Sequence, residues 1–378
     1  MNYEPGITLG IVGGGQLGRM LTIKAKELGL MVVVLDPKAN APAAQLADKH
    51  IKAKFDDKSG YEKLHQNSDI ITFEFEHISA ENLKMLENQG AIVRPGANTL
   101  SKIQDKGIQK EMLQTLTEEE LVPKFKVVTN KKQAISAIKE YGYPVMVKLC
   151  TGGYDGKGNF LLQDESEIEK LNDLLEKHNK LLIEEYIDFE KEVSVMAAIN
   201  SKKEKVTFPL VENYHSKEIL HVTKAPAEVS NTTHKLAAQK ALEIIDFFDD
   251  PGIYGIEFFL LKDGRLLVNE IAPRVHNSGH YTIESCNICQ FSIHLRSILG
   301  LPLVDPILEK KACMINLLGT FEGKLKIDDF NSLFEQPNAY LHLYGKDEVK
   351  FQRKMGHVTL TGDDCDELIS KANKLNLL

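Results

Sequence analysis

Apolar and polar positions alternate along the chain in two rhythms, and the first hundred residues use both in turn. An apolar run at 7–12 passes through GGGQLG into a helical pattern that reaches about residue 28, and a second apolar run follows at 31–35. A strand at 69–75, a helix at 79–88 and a strand at 91–93 continue the alternation. This pattern predicts a doubly wound α/β unit over 1–104. Residues 100–116 then read as one amphipathic helix bearing Lys102, Asp105, Lys106 and Lys110. Beyond it come a strand at 124–128, a helix at 131–141, apolar runs at 143–150 and 159–162, a helix at 165–177 and a strand at 181–187. Residues 192–229 alternate with a period of two, as antiparallel strands do, with His215 and His221 among them. A helix at 283–299 and the boundary LGLPL close this middle unit of α+β type. The remaining 300–378 is strand-like at 313–318, 339–344 and 356–360, which predicts a small β-rich unit.

Composition narrows the class. A chain of 378 residues holds two or three packed units, and 43% hydrophobic with 26% charged residues is ordinary for a globular protein in water. The net charge of −8, with basic and acidic residues interspersed, leaves no basic stripe for nucleic acid. No apolar run is long enough to span a membrane and no signal-peptide pattern is present, so no membrane partner is expected. Five scattered cysteines, an odd number, fit the reducing cytoplasm. Cys286 and Cys289 form a single C-x-x-C inside the expected helix, with no second ligand pair, so packing is expected of them.

Two glycine-rich turns carry candidate chemistry. Gly13, Gly15 and Gly18 satisfy G-x-G-x-x-G between a strand and a helix, and Asp36 follows 18 residues after Gly18, where a ribose-binding acid would sit in a dinucleotide fold. A nicotinamide-dependent dehydrogenase fits these residues. So does a turn whose glycines only allow close packing, and so does a helix N-terminus holding the phosphate of another ligand. Glu74 and Glu76 end the third strand, at the edge where parallel sheets place ligand groups. The second turn joins 143–150 to 159–162. It interleaves Gly152, Gly153, Gly156 and Gly158 with Tyr154, Asp155 and Lys157, and Lys148 lies in the strand before it. Backbone N–H groups of such a tip converge on an anion, and the two lysines supply positive charge. Neither Ser nor Thr follows Lys157 and a strand rather than a helix comes next, so this is not a Walker loop. The strand ending at Glu184, Glu185, Tyr186 and Ile187 is a plausible hinge whose backbone reads an adenine edge.

The hairpin around Asp263-Gly264 supplies a stronger constraint. If those two residues form its turn, Phe259 faces Val268 and Glu257 faces Glu270. Directly opposed carboxylates have Cβ atoms about 5 Å apart and repel, so one is protonated or a cation bridges them. With a phosphate loop elsewhere in the chain, Mg²⁺ is the economical cation. Asn269 faces the other side by alternation unless a bulge turns it. Arg274, His276, Asn277, Ser278, His280 and Tyr281 follow without regular period, a donor-rich loop suited to a small oxyanion. Lys346 and Arg353 lie seven apart near turns, where two cations could hold a phosphate.

GGGQLGRM, TFEFEHI, VKLCTGGYDGKG, GIEFFL with LLVNEIAPRVHNSGHYTIE, and YGK with GHVT together resemble the N5-carboxyaminoimidazole ribonucleotide synthase family of ATP-grasp ligases, in order over essentially the whole chain. The resemblance implies a pre-ATP-grasp domain at 1–104, an ATP-grasp domain at 105–299 with a lid at about 124–187, and a C-terminal domain at 300–378. It implies ATP- and bicarbonate-dependent carboxylation of 5-aminoimidazole ribonucleotide through carboxyphosphate, in de novo purine synthesis, by a cytoplasmic homodimer that uses Mg²⁺ but neither biotin nor NAD. ATP would meet Lys106, Lys148, the loop Gly153, Tyr154, Asp155, Gly156, Lys157, Gly158 and Asn159, then Glu184, Glu185, Tyr186 and Ile187. Glu192, His215, Asn269 and Glu270 would complete its site, with Glu192 on the ribose. Glu257 and Glu270 would ligate the metal. Arg274, His276 and Asn277 would cradle bicarbonate, with Asp155 also catalytic. Gln16, Leu17, Glu76, Tyr154 and Asp155 would meet the ribonucleotide, and Lys346 and Arg353 its phosphate. Lys106 stands where the family commonly has arginine, and Asn159 where the loop often ends in glutamine. The two competing activities are a formate-dependent ribonucleotide transformylase of the same superfamily and the dehydrogenase.

Overall fold

The computed structural model describes residues 6–116, 120–153, 158–216, 218–325 and 330–375. Its first layer is a parallel sheet in the order Lys49–Ile51, Met31–Leu35, Thr8–Val12, Ile70–Phe73. Runs such as VVVL, after the exposed Met31, are buried on both faces, as parallel strands covered by helices must be. The helices are Gln16–Glu27, Lys58–Gln66 and Ala80–Asn88, the last two capped by the side chains of Asp57 and Ser79. The strand expected at 91–93 is reduced to a single bridge between Val93 and Ile71.

The expected helix over 100–116 is in fact two, Ala97–Gln104 and Lys106–Gln114. Asp105 adopts an extended backbone between them. Its carboxylate accepts the N–H groups of Gly107 at 2.9 Å and Ile108 at 3.1 Å, capping the second helix. Amphipathic periodicity runs through this corner because a single capping residue barely disturbs it.

A four-stranded antiparallel sheet follows, ordered Phe125–Val128, Leu181–Glu185, Val145–Leu149, Asn159–Leu162. Helices Lys131–Tyr141 and Lys170–His178 cover it, a 3-10 turn at Glu165–Glu167 standing where the second was expected to begin. This lid has a core of its own, in which Val145, Val147, Leu181 and Ile183 meet Ala134 and Ile138. Lys148 pairs with Asn159 on the last rung before the glycine turn.

The third sheet has nine described strands. Its path runs Leu266–Ala272, Gly252–Leu260, Lys191–Ile199, Val211–Ser216, Ile219–Ala225, Lys311–Leu318, Lys354–Gly362, Ala339–Leu343, with Lys205–Thr207 paired to Lys191–Ile199. Strands of the last 79 positions thus extend the middle sheet through the pairing of Lys311–Leu318 with Ile219–Ala225. Helix Asn231–Phe248 buries Ala237, Ala241, Ile244 and Ile245 against Val193, Val195, Tyr254 and Ile256.

The predicted helix at 283–299 also divides, into Thr282–Ser285 and Gln290–Leu299. Cys286 instead bridges to Leu308, and Cys289 precedes the second helix in extended conformation, so the C-x-x-C is not helical. Both thiols are free, and burial pushes that of Cys286 up to about 12. Helix Gln290–Leu299 buries Phe291, Ile293, Leu295 and Ile298 against Leu9, Ile11, Leu17 and Leu21, which locks the first unit to the large sheet through one shared core. No helix among the described residues is long and apolar enough to cross a membrane.

Candidate active site

The first unit, the lid and the large sheet converge on a cavity of about 580 Å³. The first unit gives it Gln16, Leu17 and Glu76, the capped helix gives Lys106, and the lid gives Lys148, Gly153 and Asn159. The large sheet and the loop after it contribute Glu192, His215, Glu257, Asn269, Glu270, Arg274, His276 and Asn277. These fifteen residues, all singled out in the sequence, therefore line one cavity. Gly158, Glu184, Glu185, Tyr186, Ile187, Lys346 and Arg353 stand outside it. Tyr154, Asp155, Gly156 and Lys157 lie outside the described residues.

Glu257 faces Glu270, as expected, but by a different register. The chain turns over Lys262, Asp263 and Gly264, with Leu261 N–H donating to Arg265 O, so Phe259 pairs with Leu267 and Phe258 with Val268. A bulge at Asn269 restores the opposition of the two acids. The same bulge turns Asn269 inward, where its Oδ1 accepts from Lys148 at 3.2 Å. Burial, with Glu270 adding to it and His215 opposing, pushes the Glu257 carboxyl up to about 7. Burial also works against ionisation of Glu270, but Lys106, 2.9 Å away, holds it below the ordinary range. One acid of the pair thus keeps its proton near neutrality unless a cation joins them. Two carboxylates beside lysines suit Mg²⁺, which takes the rest of its shell from phosphate oxygens and water.

Behind the lid strand lies a buried ionic triad. Lys148 Nζ is 2.6 Å and Lys110 Nζ 2.5 Å from opposite oxygens of Glu184, and all three residues are at most 6% exposed. Burial opposes the charge on Glu184, but the two ammoniums bring it down to about 2, while burial pushes Lys110 down to about 8. The Glu184 side chain is therefore committed to orienting Lys148. Lys110 was visible in the sequence only as part of a charged helix face. On the opposite side Glu192 contacts His215 Nδ1, and this carboxylate raises the imidazole above its ordinary range despite burial.

The loop after Glu270 presents donors. Arg274 Nη2 donates to both oxygens of Glu76 at 2.6 and 2.7 Å, and its Nη1 donates to Val275 O. Its Nε and both amide atoms of Asn277 are buried without a partner among the described residues. Burial, reinforced by Arg274, keeps His276 well below its ordinary range and therefore neutral. A Cβ at Gly255 would lie 2.7 Å from that of His276, so only glycine allows the strand this approach. A small anion is what satisfies such unpaired donors.

The first glycine turn is already occupied from within. Glu74 accepts from Gly15 N–H and, at 2.6 Å, from Gly18 N–H, while Asp36 accepts from Gly14 N–H at 2.8 Å and Lys38 N–H at 2.8 Å. The helix N-terminus thus has its own carboxylate, and Asp36 is tied to the turn. This overturns the dinucleotide reading of GGGQLG and leaves the Gly15 and Gly18 amides taken by Glu74. Glu74 and Glu76 also diverge, because the strand ends at Phe73. Lys346 does meet Gln16, donating to its Oε1 at 2.7 Å, and burial with Arg353 nearby pushes its ammonium down to about 7. Arg353 itself donates to Glu348 O at 2.8 Å, and the next residue, Lys354, lines the cavity instead. No periodicity distinguishes these neighbours in the sequence.

Three family models match consecutive stretches: a ribonucleotide synthetase preATP-grasp domain over 7–104, an ATP-grasp domain over 114–291, and a phosphoribosylaminoimidazole carboxylase C-terminal domain over 312–371. N5-carboxyaminoimidazole ribonucleotide synthase of Bacillus subtilis is 40% identical over 367 residues, 97% of this chain and 94% of the relative. A solved ADP complex of an N5-carboxyaminoimidazole ribonucleotide synthetase superposes with a TM-score of 0.93 at 38% identity, covering 99% of this chain and 97% of that one. The Aspergillus clavatus enzyme, solved with ADP and 5-aminoimidazole ribonucleotide, gives 0.90 at 31% identity, covering 98% of each.

Proposed function

The chain belongs to the N5-carboxyaminoimidazole ribonucleotide synthase family, and from that premise we propose how its cavity performs the reaction. The protein is an ATP-dependent ligase that carboxylates 5-aminoimidazole ribonucleotide to N5-carboxyaminoimidazole ribonucleotide in purine biosynthesis. The observation that carries the residue-level reading is the opposed pair Glu257 and Glu270 beside the unpaired donors of Arg274 and Asn277.

ATP lies between the lid and the large sheet. Lys106, Lys148 and the glycine hairpin hold its phosphates, the backbone of 184–187 meets the adenine, and Glu192 meets the ribose beside His215. Glu257 and Glu270 hold Mg²⁺, which neutralises triphosphate charge when bound. Arg274 Nε, His276 Nε2 and Asn277 cradle bicarbonate, whose oxygen attacks the γ-phosphoryl group to give carboxyphosphate and ADP. The exocyclic amine of the ribonucleotide, held near Gln16, Leu17 and Glu76, then takes the carboxyl group as phosphate leaves. Lys346 and Arg353 take the ribonucleotide phosphate. The residues contribute positioning and charge stabilisation, which is most of what phosphoryl transfer requires. The homodimer belongs to the same reading, and sedimentation equilibrium tests it.

Phosphate release from Mg-ATP, with the ribonucleotide and bicarbonate omitted in turn, is the decisive assay. Release should need the ribonucleotide and rise with bicarbonate; dependence on formate would shift the assignment to a transformylase. Metal binding must also displace the proton that Glu257 retains below about pH 7. Mg-ADP affinity should therefore fall between about pH 8 and about pH 6, with proton uptake by the buffer in calorimetry. Affinity independent of pH would remove Glu257 from the metal site.

A further inference from the structure

A buried polar chain runs into the cavity from behind His276. Thr223 Oγ1 donates to Asn213 Oδ1 at 3.0 Å, and Asn213 Nδ2 donates to Ser194 Oγ at 2.8 Å. Ser194 Oγ donates to Ser278 Oγ at 2.8 Å, and Ser278 Oγ lies 2.9 Å from His276 Nδ1. All four residues behind the histidine are at most 6% exposed, so water does not scramble the sequence of donors.

The direction of this chain is set from the histidine end. At the histidine, the backbone N–H of Ser278 also points at Nδ1, at 3.4 Å, and a proton on that nitrogen would oppose it. Nδ1 is therefore an acceptor, and the Ser278 hydroxyl donates to it. Ser278 Oγ must then accept from Ser194, and Ser194 Oγ must accept from an N–H, which the Asn213 amide supplies. At the far end the Thr223 hydroxyl donates to the remaining amide oxygen. Each hydroxyl of the chain then donates one hydrogen bond. The single ring proton is left on Nε2, which opens into the cavity 3.6 Å from Glu257 Oε1, beside the unpaired Arg274 Nε and Asn277 amide.

We propose that His276 acts as a neutral hydrogen-bond donor through Nε2–H to an oxygen of the bound oxyanion, and that Ser278, Ser194, Asn213 and Thr223 are positioning residues that hold it in this tautomer. The proposal rests on the 274–277 loop being the oxyanion cradle. A ring nitrogen carrying its proton is no base toward bicarbonate. Its use is to stabilise charge that grows on oxygen as phosphoryl transfer proceeds.

Asn213→Asp tests the chain by reversing it. A carboxylate only accepts, so Ser194 and Thr223 both turn toward it, Ser278 donates to Ser194, and the ring proton moves to Nδ1. Long-range ¹H–¹⁵N correlation of histidine-labelled protein reads this directly. His276 should show a protonated Nε2 in the wild type and a protonated Nδ1 in Asn213→Asp. The kcat/KM for bicarbonate should fall about 100-fold in that variant, while Mg-ADP affinity stays unchanged. Ser194→Ala interrupts the chain without reversing it, so it should keep the wild-type tautomer and lose much less activity. A wild-type ring protonated at Nδ1, or an inverted ring with an undiminished rate, overturns the proposal. Should Asn213→Asp fail to fold, His276→Gln, which retains an N–H in place of Nε2, must exceed His276→Leu in activity at least tenfold, or the donor role is wrong. A wild-type protein without bicarbonate-dependent release would instead sink the functional reading, whatever the tautomer.

Discussion

Glu257→Gln should lower turnover by on the order of 10³-fold and leave the ligand-free protein at least as stable to heat. The two halves of this result have one cause. Within the cavity Glu257 is pushed up to about 7 from its ordinary 4.5, chiefly by burial and with Glu270 adding to it. An acid raised in the folded state binds its proton more tightly there than in the unfolded chain, so its ionisation costs stability as pH rises from about 4.5 to about 7. Glutamine keeps the shape and removes that cost, while removing the charge that a bound cation needs. The variant's melting temperature relative to wild type should therefore be higher at alkaline than at acid pH, in scans with chelator present. A melting temperature several degrees lower at high pH would show that the pair is structural, and near-normal turnover would show that no cation bridges it.

Glu184→Leu should cost the fold about 3–5 kcal/mol, read from the urea midpoint, and should weaken ATP binding as well. Its carboxylate is the shared partner of Lys110 and Lys148, and its loss leaves two ammoniums facing each other in a buried space. Adding Lys110→Met should recover much of the stability, because an apolar side chain of similar volume needs no partner. It should not recover ATP binding, since Lys148 would still lack the group that aims it. The sign of the pH effect is opposite to that of Glu257. Glu184 is held down to about 2, so its stabilisation is complete above about 4.5 and fades as pH falls toward 2. If Glu184→Leu denatures at the wild-type midpoint, the triad is not a source of stability.

Patterns of period two and local turn chemistry made the sheets, the glycine hairpin and the opposed acids legible in the sequence. Glu257 and Glu270 were matched on the assumption of a two-residue turn, and the match survived because a wider turn and the bulge at Asn269 offset each other. That compensation is tertiary and leaves no mark on alternation. The break at Asp105 was hidden because apolar spacing continues across it, although Asp followed by Lys-Gly is a capping signal. Glu74 was visible as a strand-end acid, but its partner amides lie 56 to 59 residues away in the chain. Lys110 and the chain from Thr223 to His276 were illegible for the same reason: they are assembled from separate strands and helices, and each member alone is an ordinary polar residue.

The internal carboxylate at the first glycine turn has a consequence for inhibitor design. A phosphate-bearing compound aimed at the Gly15 and Gly18 amides by analogy with nucleotide sites would have to evict Glu74 from them and place a second anion beside it. Uncharged or cationic groups directed at Glu74 itself face no such competition. They offer a route to compounds that spare the many enzymes whose glycine turns stand open to phosphate.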